Sequence, residues 1–473
     1  MWRKVNRVLI FSLMLTSCSL QVSAEPAPPD PGQAIGRSLS IIRSATAEKP
    51  QVLKILFYGQ SISSPKWTDL AIAALRAKYP NVAFEYRNLA LGGWNAVLLE
   101  QAVARDVEET YPDLIVFHVY GDHRAYERII RILRSKTASD IIIQSDHVVI
   151  PLEPLCDPGL HLRWAPLEGC EGHFWFKQKN WEEFMSGVWE PAMAAKYDLA
   201  LEPRRQRWNT YLQENNLQST DLLADPPHPN AKGWALMANL FTSWLEELAD
   251  LPQNNGPDTA GQIRSFTPPV PGEKTRYEFD GNRAELIAAG PLDGKVNIKI
   301  DGKAPGELDG CWQTSRVTRL PNVPDWPALK KVNVRPTYHE ADVWTLRVRH
   351  LDISQDVFDF EIESARTGAD GSGSSKDVFN SLSGNVTIQP DAWNLSHAKT
   401  VSGKGLAEEQ SFQWERRFAC GDELATVLPN GSVQQRHVLA TSLPNTHHVV
   451  ELTVTSDAPA ILELRAYRPP LIE

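Results

Sequence analysis

The chain has no run of lysine or arginine, and its 473 residues carry a formal charge of −10, so nothing in it offsets the phosphates of a nucleic acid. A nucleic-acid partner is not expected. No glycine-rich phosphate loop, paired C-x-x-C set or internal repeat stands out, which removes the usual nucleotide, zinc and solenoid readings. Neither a cofactor nor a bound metal is expected. The apolar run 8–15 is too short to span a bilayer as a stable anchor. Cysteine is scarce, at five residues.

What the chain does have at its start is a targeting pattern. Arg3, Lys4 and Arg7 precede the apolar run and small residues come after it, so residues 1–24 are expected to be an export signal. Leu15-Thr16-Ser17-Cys18 resembles a bacterial lipobox, in which Cys18 becomes the lipidated first residue of the mature protein and membrane contact is through that anchor only. The alternative is ordinary signal cleavage after Ala24. Either route leads to the periplasm or the cell surface. Setting Cys18 aside leaves a close pair, Cys156 and Cys170, and a distant pair, Cys311 and Cys420, each within its own half of the chain. Two disulfides paired in that way suit an oxidising compartment. Oligomeric state is not indicated.

The length exceeds what one core usually supports, so two domains are expected. Residues 25–50, rich in Pro, Ala and Ser, read as a tether. From 51 to 250 short apolar runs alternate with helical periodicity. Strands are expected at 52–59, 82–86, 113–120 and 141–144; helices include 67–79, with Leu70, Ala74, Leu75 and Tyr79 on its apolar face, and 97–110. That alternation predicts a parallel sheet wound by right-handed crossovers, with strand ends converging on the edge where ligands sit. Residues 151–203 break the rhythm with prolines, the Cys156/Cys170 pair and clustered aromatics, which suits either a substrate wall or a structural flap. Residues 251–275 read as a linker. Beyond them, 276–473 carries short alternating runs separated by Asp-Gly and Asn-Gly turns, the pattern of an antiparallel β-sandwich.

Ser61 comes directly after the first strand, in the turn Gly59-Gln60-Ser61, and is the candidate nucleophile. A serine needs a base. Among twelve histidines, His228 lies in a proline-stiffened loop before a helix, with Asp225 three residues upstream. A carboxylate at that spacing can accept from one ring nitrogen while the other faces the serine. The same Asp also suits a plain helix cap.

Gly59-Gln60-Ser61 after the first strand, Gly93 in the loop after the second, and Asp225-Pro226-Pro227-His228 near the end of the unit together resemble the SGNH (GDSL-like) hydrolase superfamily, carbohydrate-esterase type, over about residues 50–250. The resemblance implies a flavodoxin-like three-layer α/β sandwich. It also implies Ser61 as nucleophile, His228 as base, Asp225 as its orienter, and the Ser61 and Gly93 backbone N–H groups in the oxyanion hole. Two departures stand out. Gln60 replaces an acidic residue. Where the family has a Gly-x-Asn-Asp block whose Asn donates to the oxyanion, this chain has Tyr120-Gly121-Asp122-His123, so Asn95, His123 or an N–H at the Gly121 turn would have to substitute. Trp94, Tyr120, Asp122, Asp146 and His147 are the candidate substrate contacts. The repeated Asp-His at two strand ends could also gather round a divalent metal, but hydrogen bonding to the site's loops is the simpler explanation.

The expected activity is that of an exported serine esterase removing acetyl or another small acyl group from a polysaccharide. Fifteen tryptophans either pack cores or offer platforms for sugar rings, and the appended sandwich binds glycan by fold-level analogy. A glycan-binding surface lipoprotein with a decayed hydrolase unit competes, because of the missing Asn. So does a lipase or thioesterase of the same superfamily, although that would want a longer apolar lid.

Overall fold

The computed structural model describes residues 29–149, 179–252, 262–320, 323–352, 357–403, 405–421 and 423–472. The export signal, Cys18 and the Cys156/Cys170 pair lie outside the described residues.

The first unit is built on five strands: β1 (Gln51–Gly59), β2 (Val82–Asn88), β3 (Leu114–His118), β4 (Asp140–Gln144) and β5 (Ala200–Glu202). They run parallel in the order β2-β1-β3-β4-β5. Its helices are α1 (Pro31–Ala34), α2 (Gly36–Ser44), α3 (Pro65–Lys78), α4 (Ala96–Thr110), α5 (His123–Lys136), α6 (Lys179–Phe184), α7 (Glu190–Tyr197), α8 (Arg204–Glu214) and α9 (Ala231–Asp250). β1 reads as a nearly continuous apolar run because both of its faces are covered. Leu56 and Tyr58 pack with α4 and α5, whereas Leu53, Ile55 and Phe57 pack with α3 and α9. This is the three-layer arrangement that the resemblance implies, and its chain order reverses between β1 and β3. Ligands in such sheets bind at that reversal.

Several boundaries differ from expectation. The expected tether at 25–50 contains α1 and α2. Ile35, Leu39 and Ile42 recur at helical spacing and are buried, Ser38 donates from N and Oγ to Asp140 Oδ2 at 2.8 and 2.7 Å, and Arg37 pairs with Asp113. A composition rich in Pro and Ser had hidden that stripe. In α3 the buried face is Trp67, Ala71, Ile72 and Leu75, while Leu70 is 48% exposed; the indole of Trp67, which donates to Ile62 O at 2.7 Å, sets the phase. The irregular excursion expected over 151–203 returns to regular structure in its described part, as a helical segment from Lys179 to Tyr197 and then β5, a full member of the sheet. The expected linker already contains a strand, Ile263–Phe266, paired with Ile461–Tyr467.

The second half is antiparallel and all-β, but it is not one simple sandwich. A five-stranded sheet (Glu423–Val427, Val433–Ala440, Arg283–Ala288, Ile461–Tyr467, Ile263–Phe266) faces a three-stranded one (Val296–Ile300, Thr446–Val454, Lys274–Gly281) across Tyr277, Leu286, Val450 and Leu464. Between them in the chain lies an inserted module centred on a second five-stranded sheet, from Trp312–Thr314 to Ser411–Phe418, with Trp344, Phe360 and Trp414 in its core. Cys311 and Cys420 form a disulfide that staples the two ends of this insertion, with Cα atoms 5.0 Å apart. Period-two alternation is the same in any sheet, so the sequence pattern could not separate host from insertion.

Candidate active site

The site sits at the carboxyl ends of β1 and β3. β1 can stop where it does only because residue 59 is glycine. Its φ is 146°, and a Cβ there would lie 1.9 Å from the carbonyl oxygen of His118 on β3. The chain then turns into a tight helical turn, Ser61–Ser63, held by Ser63 N–H to Gln60 O at 2.8 Å and by Asn88 Nδ2 to Ser63 O at 2.7 Å. Ser61, half-buried, is thereby presented at the sheet edge.

A short hairpin, β6 (Leu223–Asp225) and β7 (His228–Pro229), brings the other two groups in. His228 Nε2 lies 2.9 Å from Ser61 Oγ, and His228 Nδ1 lies 2.6 Å from Asp225 Oδ1. Serine, imidazole and carboxylate thus form one hydrogen-bonded line across 167 residues of sequence. Asp225 is not the helix cap: that role falls to Asn230, whose Oδ1 accepts from the Lys232 and Gly233 N–H groups at 2.9 and 3.1 Å. The Asp225 side chain is 63% exposed and that of His228 41% exposed, so the line is open to solvent at its outer end.

The loop after β2 runs alongside the serine. A Cβ on Gly92 would lie 3.8 Å from Ser61 Cβ, and Gly93 next to it takes φ 76°, which glycine adopts without strain. Gln60 ties this loop to the turn. In the amide orientation that satisfies both ends, its Nε2 donates to Trp94 O and its Oε1 accepts from Tyr120 N–H, each at 3.1 Å. A buried amide therefore ties together the segments that follow β1, β2 and β3.

The polar residues expected to touch substrate or oxyanion turn mostly inward. Asn95 caps α4 through Leu98 N–H at 3.1 Å and is exposed. Asp122 caps α5, accepting from Arg124 and Ala125 N–H at 2.9 and 3.1 Å, and its carboxyl is held down to about 2, chiefly by hydrogen bonding from Arg124. His123 is 3% exposed, packed edge-on against Phe184 and Trp189, and burial lowers its pKa. Trp94 is fully buried, so its ring cannot stack on a sugar. Tyr120 stands edge-on to His118, with a buried hydroxyl. Asp146 accepts from His118 Nε2 at 2.6 Å; both are buried, and sequence reasoning had passed over His118. Strand-end polarity was the signal for all of these, and it does not say which way a side chain points.

His147 has a role of its own. It is fully buried against Trp208, and its Nε2 donates to Pro227 O at 2.7 Å, directly behind His228. Burial lowers its pKa to about 3, with Asp146 opposing and Arg204 and His118 reinforcing the shift. The ring is therefore neutral and anchors the Asp225–His228 hairpin from below. Arg205 supports the same corner, pairing with Glu183 at 2.6 Å and Glu182 at 3.2 Å and donating to His147 O at 3.4 Å. Among the described residues no group of three or more His, Cys, Asp or Glu could hold a metal ion, and no helix is long and apolar enough to cross a membrane. Trp67, Trp94, Trp189, Trp208, Trp344 and Trp414 are all fully buried side chains, which makes the core reading right for these six.

No family model and no curated protein matches the chain. Solved structures similar to it include a two-domain esterase (CEX) active on acetylated mannans, 12% identical, covering 92% of this chain and 95% of that one at a TM-score of 0.34. The acetyl xylan esterase AlAXEase is 15% identical and covers 41% of this chain and 99% of its own, with a TM-score of 0.31. Axe2, an acetylxylan esterase from Geobacillus stearothermophilus, is 17% identical and covers 42% and 95%, with a TM-score of 0.32.

Proposed function

We propose that this chain is a serine esterase of the SGNH type that removes acetyl or another small acyl group from a polysaccharide. The observation that carries the proposal is the line Ser61 Oγ, His228 and Asp225, joined at 2.9 and 2.6 Å. His228 Nε2 takes the hydroxyl proton as Ser61 Oγ bonds to the ester carbonyl carbon, and Asp225 stabilises the imidazolium from Nδ1. The imidazolium then protonates the departing sugar oxygen as its bond to carbon breaks. Water, deprotonated by the same His228, releases the acyl group from Ser61. We assign the oxyanion to the Ser61 and Gly93 backbone N–H groups, with the exposed Asn95 side chain as a further donor through Nδ2, since capping α4 uses only its Oδ1; His123, a buried ring, is left out.

A polysaccharide substrate is supported by the superfamily resemblance and by the export pattern at the amino terminus; with that pattern goes the proposal of a lipid anchor at Cys18 on an envelope protein. The reading of a decayed hydrolase unit rested on the missing Asn, and an assembled serine, base and orienter speaks against it. Acetate release from acetylated mannans and xylans, beside 4-nitrophenyl acetate, tests the proposal. Wild type is expected to exceed Ser61→Ala by at least about 10³-fold; equal rates on every acylated substrate would sink it.

A further inference from the structure

Leu89 opens the loop that runs past Ser61. Its N–H donates to Phe57 O of β1 at 3.0 Å, and its carbonyl accepts from Arg316 Nη2 at 3.1 Å. Arg316 does not belong to the α/β unit; it lies in the inserted β module. The same guanidinium grips Asp106 of α4, Nε to Oδ1 at 2.9 Å and Nη2 to Oδ2 at 2.5 Å. Asp106, 1% exposed, also accepts from Tyr58 Oη at 2.9 Å, three residues before the nucleophile, and from Arg105 at 3.1 Å. Burial alone would raise the Asp106 carboxyl, but Arg105 and Arg316 outweigh it and hold its pKa below the ordinary value.

We propose that Arg316 is a positioning residue for ester hydrolysis: from the second half of the chain it fixes the end of β2, and with it the Gly92-Gly93 loop, against the strand that delivers Ser61. The inference rests on the esterase reading above. Beyond Leu89 the loop is packed onto the serine turn with little slack, since Leu91 N–H donates to Gly59 O at 3.0 Å and Trp94 O accepts from Gln60. A shift of the Leu89 carbonyl therefore moves the backbone that faces the oxyanion, and a misplacement of about 1 Å can cost about 10²-fold in rate. Arginine suits the task because its planar fork can hold both carboxylate oxygens and still offer an N–H to a carbonyl. Lysine can keep the charge against Asp106 but not the three-way geometry. In this arrangement the β module completes the active site, and the buried carboxylate is the hub through which it does so.

The test uses the full chain with Arg316→Lys, Arg316→Ala, Ser61→Ala and Asn282→Ala. Asn282 joins the two halves elsewhere, accepting from Tyr111 Oη at 2.8 Å and donating to Lys136 O at 2.9 Å, so its variant loosens docking without touching the loop. With 4-nitrophenyl acetate, Arg316→Lys is expected to lose about 10- to 100-fold in kcat with KM within about twofold and Tm near wild type. Arg316→Ala loses kcat and Tm together, whereas Asn282→Ala loses Tm and keeps kcat. Wild-type kcat in both Arg316 variants, beside an inactive Ser61→Ala, overturns this inference alone. So does a kcat loss in Asn282→Ala proportional to its fall in Tm, which would reduce the effect to docking in general. If wild type is no faster than Ser61→Ala, the esterase reading falls and this inference with it.

Discussion

Acid should destabilise this protein through one buried ring, and the size of the effect is set by where His147 sits. In the unfolded chain the imidazole binds a proton near pH 6.5; in the folded protein it does so only near pH 3, because burial disfavours the charged ring. Between those values the unfolded state holds the extra proton, so stability rises with pH across the window. The contribution is complete above pH 6.5 and is lost progressively as pH falls toward 3. At about 1.4 kcal/mol per pH unit the full span is about 5 kcal/mol, and roughly half of it falls between pH 6.5 and 4.5. His147→Gln keeps an N–H donor within reach of Pro227 O but does not titrate. Urea unfolding of both proteins at pH 7, 6, 5 and 4.5, monitored by tryptophan fluorescence, isolates the effect, because carboxylates common to both cancel in the difference. Wild type should lose about 2 to 3 kcal/mol more than the variant over that range. Parallel pH profiles for the two proteins would refute the reasoning, since the ring would then have to be protonated, or exposed, in the folded state.

Three other outcomes are expected. Asp225→Asn should fold normally and lose about 10²- to 10³-fold in kcat on 4-nitrophenyl acetate, less than the ~10⁴-fold known for a buried orienter, because the Asp225 side chain is 63% exposed and water can take over part of its hold; a loss below about threefold would remove Asp225 from the line. Gly59→Ala should cost about 4 kcal/mol or more, enough to prevent soluble expression, given a Cβ 1.9 Å from His118 O at φ 146°; a Tm within about 3 °C of wild type would contradict that close approach. The double variant Cys311→Ser with Cys420→Ser opens a loop of sequence separation 109 and should lower stability by about 4–5 kcal/mol on the chain-entropy estimate, which differential scanning calorimetry with and without the bridge would reveal as a shifted β-module transition.

The parallel sheet was legible because β1, β3 and β4 are buried on both faces and read as short apolar runs, a pattern that helices of that length do not produce. The meeting of Ser61, Asp225 and His228 was legible because each stands at a local break, a strand end or a proline-stiffened turn. Direction was not legible. Trp94, His123, Asp146 and His147 share the strand-end setting of Ser61 yet point into the protein, and only the packing of Trp189, Trp208 and Phe184 around them decides it. Composition misled at residues 25–50, where proline and serine masked a short amphipathic stripe. The contact between Arg316 and Asp106 joins residues 210 apart, and nothing in the neighbourhood of either announces the other.

Everything proposed for this site depends on Ser61 being an activated nucleophile, and covalent capture checks that without intermediaries. A fluorophosphonate ester reacts with a serine oxygen whose proton a neighbouring base removes, expelling fluoride, and it leaves unactivated serines untouched. Intact-mass analysis should show a single adduct per chain, and peptide mapping should place it on Ser61. The adduct should disappear in His228→Ala, which keeps the serine and lacks the base. No adduct on wild-type protein, or an adduct that forms equally well without His228, would contradict the activation of Ser61 by His228.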